Sequence, residues 1–201
     1  MAGVNEIADK ISQTLNLSIS SGLALPPHLE KFAVTHSATS NAATWKEALA
    51  GNTNAPHGFL YTKTLVFKPK TAKDQATVLA MVVALEDTAT SAKQVAAAVN
   101  AKDARFATAD VVKETLGITV EQGILDNTTK LMVVSPLSIS KETAGKIKVL
   151  IDSRLAASQN LLAFHPSDAS KTVFITAQDL KEYLASCGVD VTEFDFAATA
   201  T

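Results

Sequence analysis

A lysine inside an apolar, strand-like run is the feature that most constrains this chain. Residues 59–67 are rich in β-branched and large apolar side chains, which predicts a buried strand, and Lys63 lies at its centre. An ammonium group that is buried without a partner costs several kcal/mol. We therefore expect one of two arrangements: an anionic group that meets Lys63, or a lysine at the strand edge whose amine reaches water.

Composition and charge bound the remaining possibilities. The 201 residues are 47% hydrophobic with a formal net charge of −2, which fits one globular domain with an appendage. This charge argues against a protein that coats nucleic acid non-specifically, but not against one that grips the end of a strand. Cys187 is the single cysteine and no Cys or His pair has metal-ligand spacing, so we expect a reducing compartment, no metal and no cofactor.

No segment of the sequence predicts a membrane span. The longest apolar run, residues 77–85, is far shorter than the roughly 20 residues that a membrane helix needs. The N-terminus also lacks the basic segment and apolar core of a signal peptide. We expect a soluble, cytoplasmic protein.

Strand-like and helix-like segments alternate irregularly along the chain. An amphipathic pattern over residues 5–17 predicts a helical extension within residues 1–30, ahead of a domain at 31–197. The patterns predict strands at residues 32–36, 59–67, 77–85, 105–107, 131–134, 147–152, 161–164, 172–175 and 189–196, and helices at 41–50, 90–99, 109–116 and 177–186. With no repeat and no regular βαβ series, the class is α+β or mixed α/β around one sheet.

Other polar residues leave their roles open. His165 precedes a proline at the end of an apolar strand, where a histidine is more often structural than part of a site. Lys68 and Lys70 flank a turn proline and are interpreted as solvated, with contact to a backbone phosphate as the alternative. Three carboxylates are interpreted as surface or capping residues: Asp152, Asp168 and Asp179.

Taken together, the segments resemble the YbaK/prolyl-tRNA-synthetase-associated domain family. Residues 62–67 look like the lysine-bearing strand of that family, and residues 102–107 with 114–117 look like its arginine-phenylalanine-alanine strand and following helix. Residues 164–166, 179–184 and 193–196 resemble its histidine-proline strand and terminal segment. The lysine strand followed by Lys68-Pro69-Lys70 is most like the editing domain at the N-terminus of fungal and protist prolyl-tRNA synthetases.

The resemblance implies a single mixed, curved sheet surrounded by helices, and an aminoacyl-tRNA deacylase that acts on Ala-tRNA(Pro). It implies that Lys63 is catalytic, beside the terminal adenosine of the tRNA, and that His165 shapes the amino-acid pocket. Further substrate-binding residues would be Thr64, Val134, Ser135 and Pro136, with backbone amides of residues 134–137 as donors to the developing oxyanion.

The expected partners are the aminoacylated 3′ end of tRNA and a prolyl-tRNA synthetase body or multi-synthetase complex. Bacterial members of the family usually carry a glycine shortly before the valine-serine-proline stretch, and here residues 131–133 are Leu, Met and Val. Thr64 also replaces the asparagine that alanine-specific members often have. The alternative is therefore a weak or inactive tRNA-binding or docking module.

Overall fold

The computed structural model describes residues 27–39, 41–70, 76–118, 134–166 and 169–198. These residues form a mixed, open sheet of eight strands with helices packed against it, which confirms the predicted α+β class. The strands are β1 (Ala33–Thr35), β2 (Leu60–Pro69), β3 (Leu79–Leu85), β4 (Ala104–Phe106), β5 (Ile147–Asp152), β6 (Leu162–Phe164), β7 (Lys171–Ile175) and β8 (Asp190–Phe194). Their order is β1-β7-β6-β2-β3-β5-β8, with β4 beside β2.

The four predicted helices are present in the described residues, each beginning and ending within about two residues of its predicted bounds, together with two four-residue helices that were not predicted. They are α1 (Pro27–Glu30), α2 (Ala42–Ala50), α3 (Ala92–Ala98), α4 (Ala109–Leu116), α5 (Ser153–Ala156) and α6 (Ala177–Cys187). Asn41 caps α2, since its side chain accepts a hydrogen bond from the Thr44 amide at 3.0 Å. Gly117 ends α4 and Gly188 ends α6, both in the left-handed conformation that glycine adopts without strain.

Strand β2 changes its neighbour halfway along its length. On one side it pairs with β3 over residues 62–67. On the other side it runs parallel to β6 at Leu60 and Tyr61, and antiparallel to β4 from Phe67 onwards. Within the described residues, positions 63–65 have no strand partner on this second side, and we call this stretch the β2 gap.

The two faces of the sheet carry different groups, because side chains alternate along a strand. The first face holds the larger core cluster, which includes Val66, Val83 and Leu162 and packs against Leu180 of α6. The second face holds a smaller cluster around Phe67, Ala84 and Leu150, and an aromatic cluster around Trp45 and Phe174. Lys63 lies on the second face, because it is directly opposite Ala84.

A few predicted elements differ from the structure or lie outside it. The predicted helix at residues 5–17 and most of the predicted strand at 131–134 are outside the described residues, and Val134 itself is not in a strand. The last strand is shorter than predicted and ends at Phe194. Helix α5 has four residues, which is too short for its periodicity to be visible in the sequence.

Candidate functional site

The Lys63 ammonium is turned towards β3. It donates a hydrogen bond to the backbone carbonyl of Thr88, in the turn that follows β3. The residue opposite Lys63 on β3 is Ala84, whose methyl group leaves room for a long side chain to cross the strand. Lys63 is half-buried, so its amine is neither fully solvated nor sealed in the core.

The side chain of Asp152 also contacts Thr88. The Thr88 hydroxyl donates to Asp152 Oδ2 at 2.7 Å, and Asp152 is 0% exposed. Among the described residues, its second oxygen Oδ1 accepts no hydrogen bond. Of the two roles expected for Asp152, surface or capping, the surface role was therefore wrong, because β5 lies between β3 and β8 in the sheet. It occupies the N-cap position of α5, but its side chain makes no capping hydrogen bond.

The other two carboxylates that were predicted to be surface or capping residues are Asp168 and Asp179. Asp179 is a capping residue as predicted, since its Oδ2 accepts from the amide and hydroxyl of Thr176 at the start of α6. Asp168 lies outside the described residues.

Burial and nearby carboxylates shift the pKa of Lys63 in opposite directions. Desolvation lowers the pKa of Lys63 below its ordinary value, while the charges of Asp87, Asp152 and Glu86 raise it in part. The protein itself therefore supplies some of the anionic surroundings that the sequence led us to expect around this lysine. The net effect is an ammonium that gives up its proton more readily than a solvated lysine.

His165 follows β6 and is 4% exposed. Its Nδ1 lies 2.8 Å from the carbonyl of Lys171, and because a carbonyl only accepts, Nδ1 carries the proton. The ring is 4.4 Å from the Trp45 ring at an interplanar angle of 35°, and 5.8 Å from the His36 ring. Structural contacts thus fix the orientation of His165.

Thr172 fixes the two rings that surround His165. The buried Thr172 hydroxyl accepts from Trp45 Nε1 at 2.8 Å and lies 2.8 Å from His36 Nε2. His36 Nδ1 donates to the Ser37 carbonyl, so in a neutral His36 ring Nε2 accepts from the Thr172 hydroxyl. Sequence reasoning missed this group. The available signal was Thr172 itself, a polar residue among apolar ones in a predicted strand.

Lys63 and His165 lie on the same face of the sheet. The parallel register pairs Tyr61 with Ala163; Lys63 is two residues after Tyr61, and His165 is two residues after Ala163, just beyond the end of β6. Lys63 therefore lies in the β2 gap, and His165 lies beside its start. The hydrogen bond from Lys63 to the Thr88 carbonyl is on the β3 side of β2, whereas the hydrogen bond from His165 to the Lys171 carbonyl is on the β7 side of β6.

The remaining predicted substrate-binding residues are placed elsewhere. Thr64 is directly opposite Val83 and so lies on the first face, away from Lys63. Ser135 and Pro136 are buried in a 3₁₀ turn that packs against α6, where the Tyr183 hydroxyl donates to the Leu137 carbonyl at 3.0 Å. Val134 belongs to the core cluster of that first face.

Two amides that were expected to bind an oxyanion already have acceptors. The Ser135 amide donates to the Ser138 hydroxyl and the Leu137 amide donates to the Ser135 hydroxyl, both at 3.2 Å. These distances are at the long end of the range for N–H···O hydrogen bonds. The substrate role of Thr64, Val134, Ser135 and Pro136 stays a prediction.

The described part of the chain contains neither a candidate metal site nor a candidate membrane-spanning helix. Across the described ranges, no three His, Cys, Asp or Glu side chains are grouped so that they could hold a metal ion. No helix in the described part of the chain has the length and apolar character needed to cross a bilayer.

Comparison with known proteins places this geometry in context. The family model described as "Aminoacyl-tRNA editing domain" matches residues 39–183. A protein of Schizosaccharomyces pombe (strain 972 / ATCC 24843) named "Putative proline--tRNA ligase C19C7.06" is 42% identical over 165 residues, which are 82% of this chain. The matched part is 21% of the length of that relative.

Solved structures share the fold at low sequence identity. "Crystal structure of hypothetical protein APE2540" has a TM-score of 0.55 and 15% identity, and the match covers 92% of this chain and 97% of that one. "Crystal structure of a putative trans-editing enzyme for prolyl tRNA synthetase" has a TM-score of 0.51 and 17% identity, with 86% and 99% covered. At these identities the likeness concerns the fold alone.

Proposed function

Because this chain belongs to the aminoacyl-tRNA editing domain family, we propose that it hydrolyses mischarged aminoacyl-tRNA, with Ala-tRNA(Pro) as its substrate. We propose further that it acts in the cytoplasm, attached to or together with a prolyl-tRNA synthetase. The observation that carries this proposal is the placement of Lys63: it is a half-buried cation in the β2 gap, where the described residues supply no second strand partner, and it lies on the same face as His165.

The choice of Ala-tRNA(Pro) as substrate follows from how poorly a binding pocket distinguishes proline from the smaller alanine. A synthetase pocket shaped for proline cannot exclude the smaller alanine, because one missing methylene is worth only about 1–3 kcal/mol. A second site must then sort by size, admitting the alanyl ester and rejecting the prolyl ester by steric clash. The 42% identity to a protein named as a proline–tRNA ligase supports this choice of substrate.

In the proposed mechanism, Lys63 binds the tRNA terminus as a point charge. Its ammonium exchanges the Thr88 carbonyl for the phosphate of the terminal adenosine, and so holds the ester beside the β2 gap. Asp152 supports this exchange, because it fixes the Thr88 hydroxyl and keeps a negative charge near the amine. Lys63 is then positioned for the substrate without leaving its acidic surroundings.

His165 shapes the pocket that receives the amino acid. Its ring is held by the Lys171 carbonyl and by Trp45, so that it acts as a rigid wall. The attacking water is activated by the ribose hydroxyl of the substrate or by a second water, which accounts for the lack of an obvious side-chain base in the sequence. In this mechanism Thr64 and residues 134–136 also bind the substrate.

One observation favours a second function. The Ser135 and Leu137 amides are occupied by hydroxyl groups within their own turn, so they must exchange partners before they can stabilise an oxyanion. A domain in which this exchange does not happen would bind the tRNA end without hydrolysing the ester. Such a module would serve as a docking domain in a synthetase assembly.

Deacylation assays separate the two functions. The wild-type protein is mixed with Ala-, Cys- and Pro-tRNA(Pro), and release of the amino acid is followed alongside binding of uncharged tRNA. We expect turnover of Ala-tRNA(Pro) and much slower turnover of Pro-tRNA(Pro). Binding of tRNA without hydrolysis of any of the three esters would support the docking module instead.

A further inference from the structure

Glu86 lies beside Lys63 on the second face of the sheet. Its amide donates to the Tyr61 carbonyl at 3.0 Å, so the β2–β3 register continues one pair beyond the end of β3 and sets Glu86 opposite Tyr61. Side chains alternate along a strand, and Glu86 is two residues after Ala84, which is opposite Lys63. Glu86 is therefore diagonal to Lys63, on the face that also holds His165.

Helix α2 fixes the position of the Glu86 carboxylate. Lys46 Nζ lies 2.7 Å from Glu86 Oε2 and 5.5 Å from the centroid of the Tyr61 ring. The Tyr61 ring in turn packs edge-on against the Trp45 ring, with centroids 5.3 Å apart. Trp45 is also the ring that packs against His165. The carboxylate is therefore anchored to the same helix that supports the proposed wall of the amino-acid pocket.

One oxygen of the Glu86 carboxylate is available to a ligand. Lys46 contacts Oε2, and within the described residues Oε1 accepts no hydrogen bond and joins no ion pair. A carboxylate has about four lone-pair sites, so it can accept a second charged donor without releasing the first. Glu86 is also only partly buried, like Tyr61 and Lys63 next to it. A cation can thus reach Oε1 from the open side of this face.

The proposed substrate carries a cation that needs such an acceptor. The α-amino group of an aminoacyl ester is free, and α-amino groups titrate near pH 7.7–8.0, so at neutral pH most of them are ammonium groups. An ammonium that enters a partly buried site loses hydration, and this loss is compensated only if it meets an anion. The like charge of Lys63 on the same face increases the need for that anion.

Two other carboxylates near Lys63 are less suited to this role. Asp152 is fully buried, and one of its oxygens already accepts a hydrogen bond. Asp87 is exposed and pairs with Arg154 of α5 at 3.2 Å. Together with Glu86, these are the carboxylates whose charges raise the pKa of Lys63. Of the three, Glu86 alone combines a partly exposed side chain with a place on the face of Lys63.

We propose that Glu86 binds the α-ammonium of the aminoacyl group while Lys63 holds the phosphate of the terminal adenosine. Two neighbouring opposite charges on the protein then match the two opposite charges at the aminoacylated end of the tRNA. This inference rests on the proposed function, because it uses an ester that is held at Lys63. It specifies the substrate class as aminoacyl esters with a free, charged α-amino group, as opposed to N-acylated or α-hydroxyacyl esters.

The test compares Glu86→Gln with Asp87→Asn on two esters of nearly equal size. Ala-tRNA(Pro) carries an ammonium, whereas lactyl-tRNA(Pro), made from it by deamination with nitrous acid, carries a neutral hydroxyl in the same place. Both substitutions remove a charge that acts on Lys63, and Asp87 acts on it more strongly than Glu86 does. Asp87→Asn therefore reports any effect that passes through Lys63. Each variant is compared with the wild type on the same ester, which cancels the different intrinsic reactivities of the two esters.

Glu86→Gln should lower kcat/KM for Ala-tRNA(Pro) by roughly tenfold or more, and that for lactyl-tRNA(Pro) by less than about twofold, because a neutral amide loses the charge-assisted hydrogen bond to the ammonium only. A glutamine oxygen can still accept from Lys46, and Tm checks that the fold is retained. Asp87→Asn should change kcat/KM for both esters by the same factor. No loss or equal losses on the two esters in Glu86→Gln would overturn the proposal, and so would the same selective loss in Asp87→Asn.

Binding separates this inference from the proposed function. A CCA trinucleotide that carries alanine or lactate through a 3′-amide has no ester, so its affinity is measurable by calorimetry whether or not the protein is a deacylase. The wild type should bind the alanyl amide roughly tenfold more tightly than the lactyl amide, and Glu86→Gln should bind the two about equally. If the wild type hydrolyses no ester but shows this preference, the deacylase proposal is wrong and the role of Glu86 stands. If it hydrolyses Ala-tRNA(Pro) and shows no preference, the deacylase proposal stands and the role of Glu86 is overturned.

Discussion

Lys63 and Asp152 lie in one cross-strand row on the same face of the sheet, with Ala84 between them. Lys63 is opposite Ala84, and Ala84 and Asp152 each follow directly after the paired residues Val83 and Ile151. Thr88 joins the two charged groups, since its carbonyl accepts from Lys63 and its hydroxyl donates to Asp152. The candidate catalytic cation is thus connected to a buried carboxylate through one residue.

Replacement of Lys63 by alanine should abolish deacylation and leave the fold intact. A preorganised charge that contacts the reacting end of the substrate is worth about 10²–10³ in kcat, so kcat/KM for Ala-tRNA(Pro) should fall by at least that factor. The measurement is amino-acid release, with Lys148→Ala as the control because Lys148 is exposed and paired with Asp190. Unchanged hydrolysis in Lys63→Ala would remove Lys63 from the mechanism.

Replacement of Asp152 by asparagine should move the alkaline limb of the pH–rate profile to lower pH. The Asp152 charge raises the pKa of Lys63, so its removal lets the ammonium lose its proton at a lower pH. The profile of kcat/KM, corrected for spontaneous ester hydrolysis, reports this shift. Asp190→Asn removes the same charge from an exposed position and should leave the limb in place. An unshifted limb in Asp152→Asn would show that Asp152 does not act on Lys63.

Lys63 should also make folding stability depend on pH in a defined direction. The pKa of Lys63 is lowered in the folded protein from its ordinary value of 10.5, so between the two values the unfolded chain binds more protons. The free energy of unfolding of the wild type, relative to Lys63→Met, should therefore rise as pH increases through this window. Urea unfolding at several alkaline pH values measures it. A difference that falls or stays constant would contradict the direction of the shift.

Replacement of Thr172 by valine should destabilise the fold through the rings around His165. The buried Trp45 Nε1–H would lose its acceptor, and an unsatisfied buried donor costs about 1–3 kcal/mol. Chemical denaturation should show a loss of that size. Thr192→Val, at an exposed position of β8, should change stability by much less. Equal stabilities of the two variants would mean that the Thr172 hydroxyl does not contribute to the free energy of unfolding.

Replacement of His165 by asparagine should alter amino-acid selectivity more than stability. An asparagine amide can still donate to the Lys171 carbonyl, but it cannot replace the imidazole ring against Trp45. We expect the ratio of kcat/KM for Ala-tRNA(Pro) to that for Pro-tRNA(Pro) to fall roughly tenfold, the lower end of the effect of one methylene. A large drop in Tm with unchanged selectivity would assign His165 a purely structural role.

Local patterns predicted most of the fold, because strands and helices here have strong local signals. The apolar, β-branched run over residues 59–67 corresponds to β2, which extends two residues further, and the helix-like pattern over residues 41–50 corresponds to α2. Asp152 was misread because its burial depends on which strands flank β5, and no local pattern reports that order. The hydrogen bond between His36 and Thr172 is hidden from local patterns for a similar reason, since the two residues are 136 positions apart. The face that Thr64 occupies follows from simple alternation with Lys63.

The β2 gap has a consequence for how such a domain can change. Among the described residues, the β2 gap is bounded by the ends of β6 and β4, so its length is set by where those two strands stop pairing with β2. A register change or a lengthened turn before Ala104 or after Phe164 would shorten or lengthen the gap without altering a single residue on β2. The surroundings of Lys63 can therefore change through loops that are distant from it in sequence.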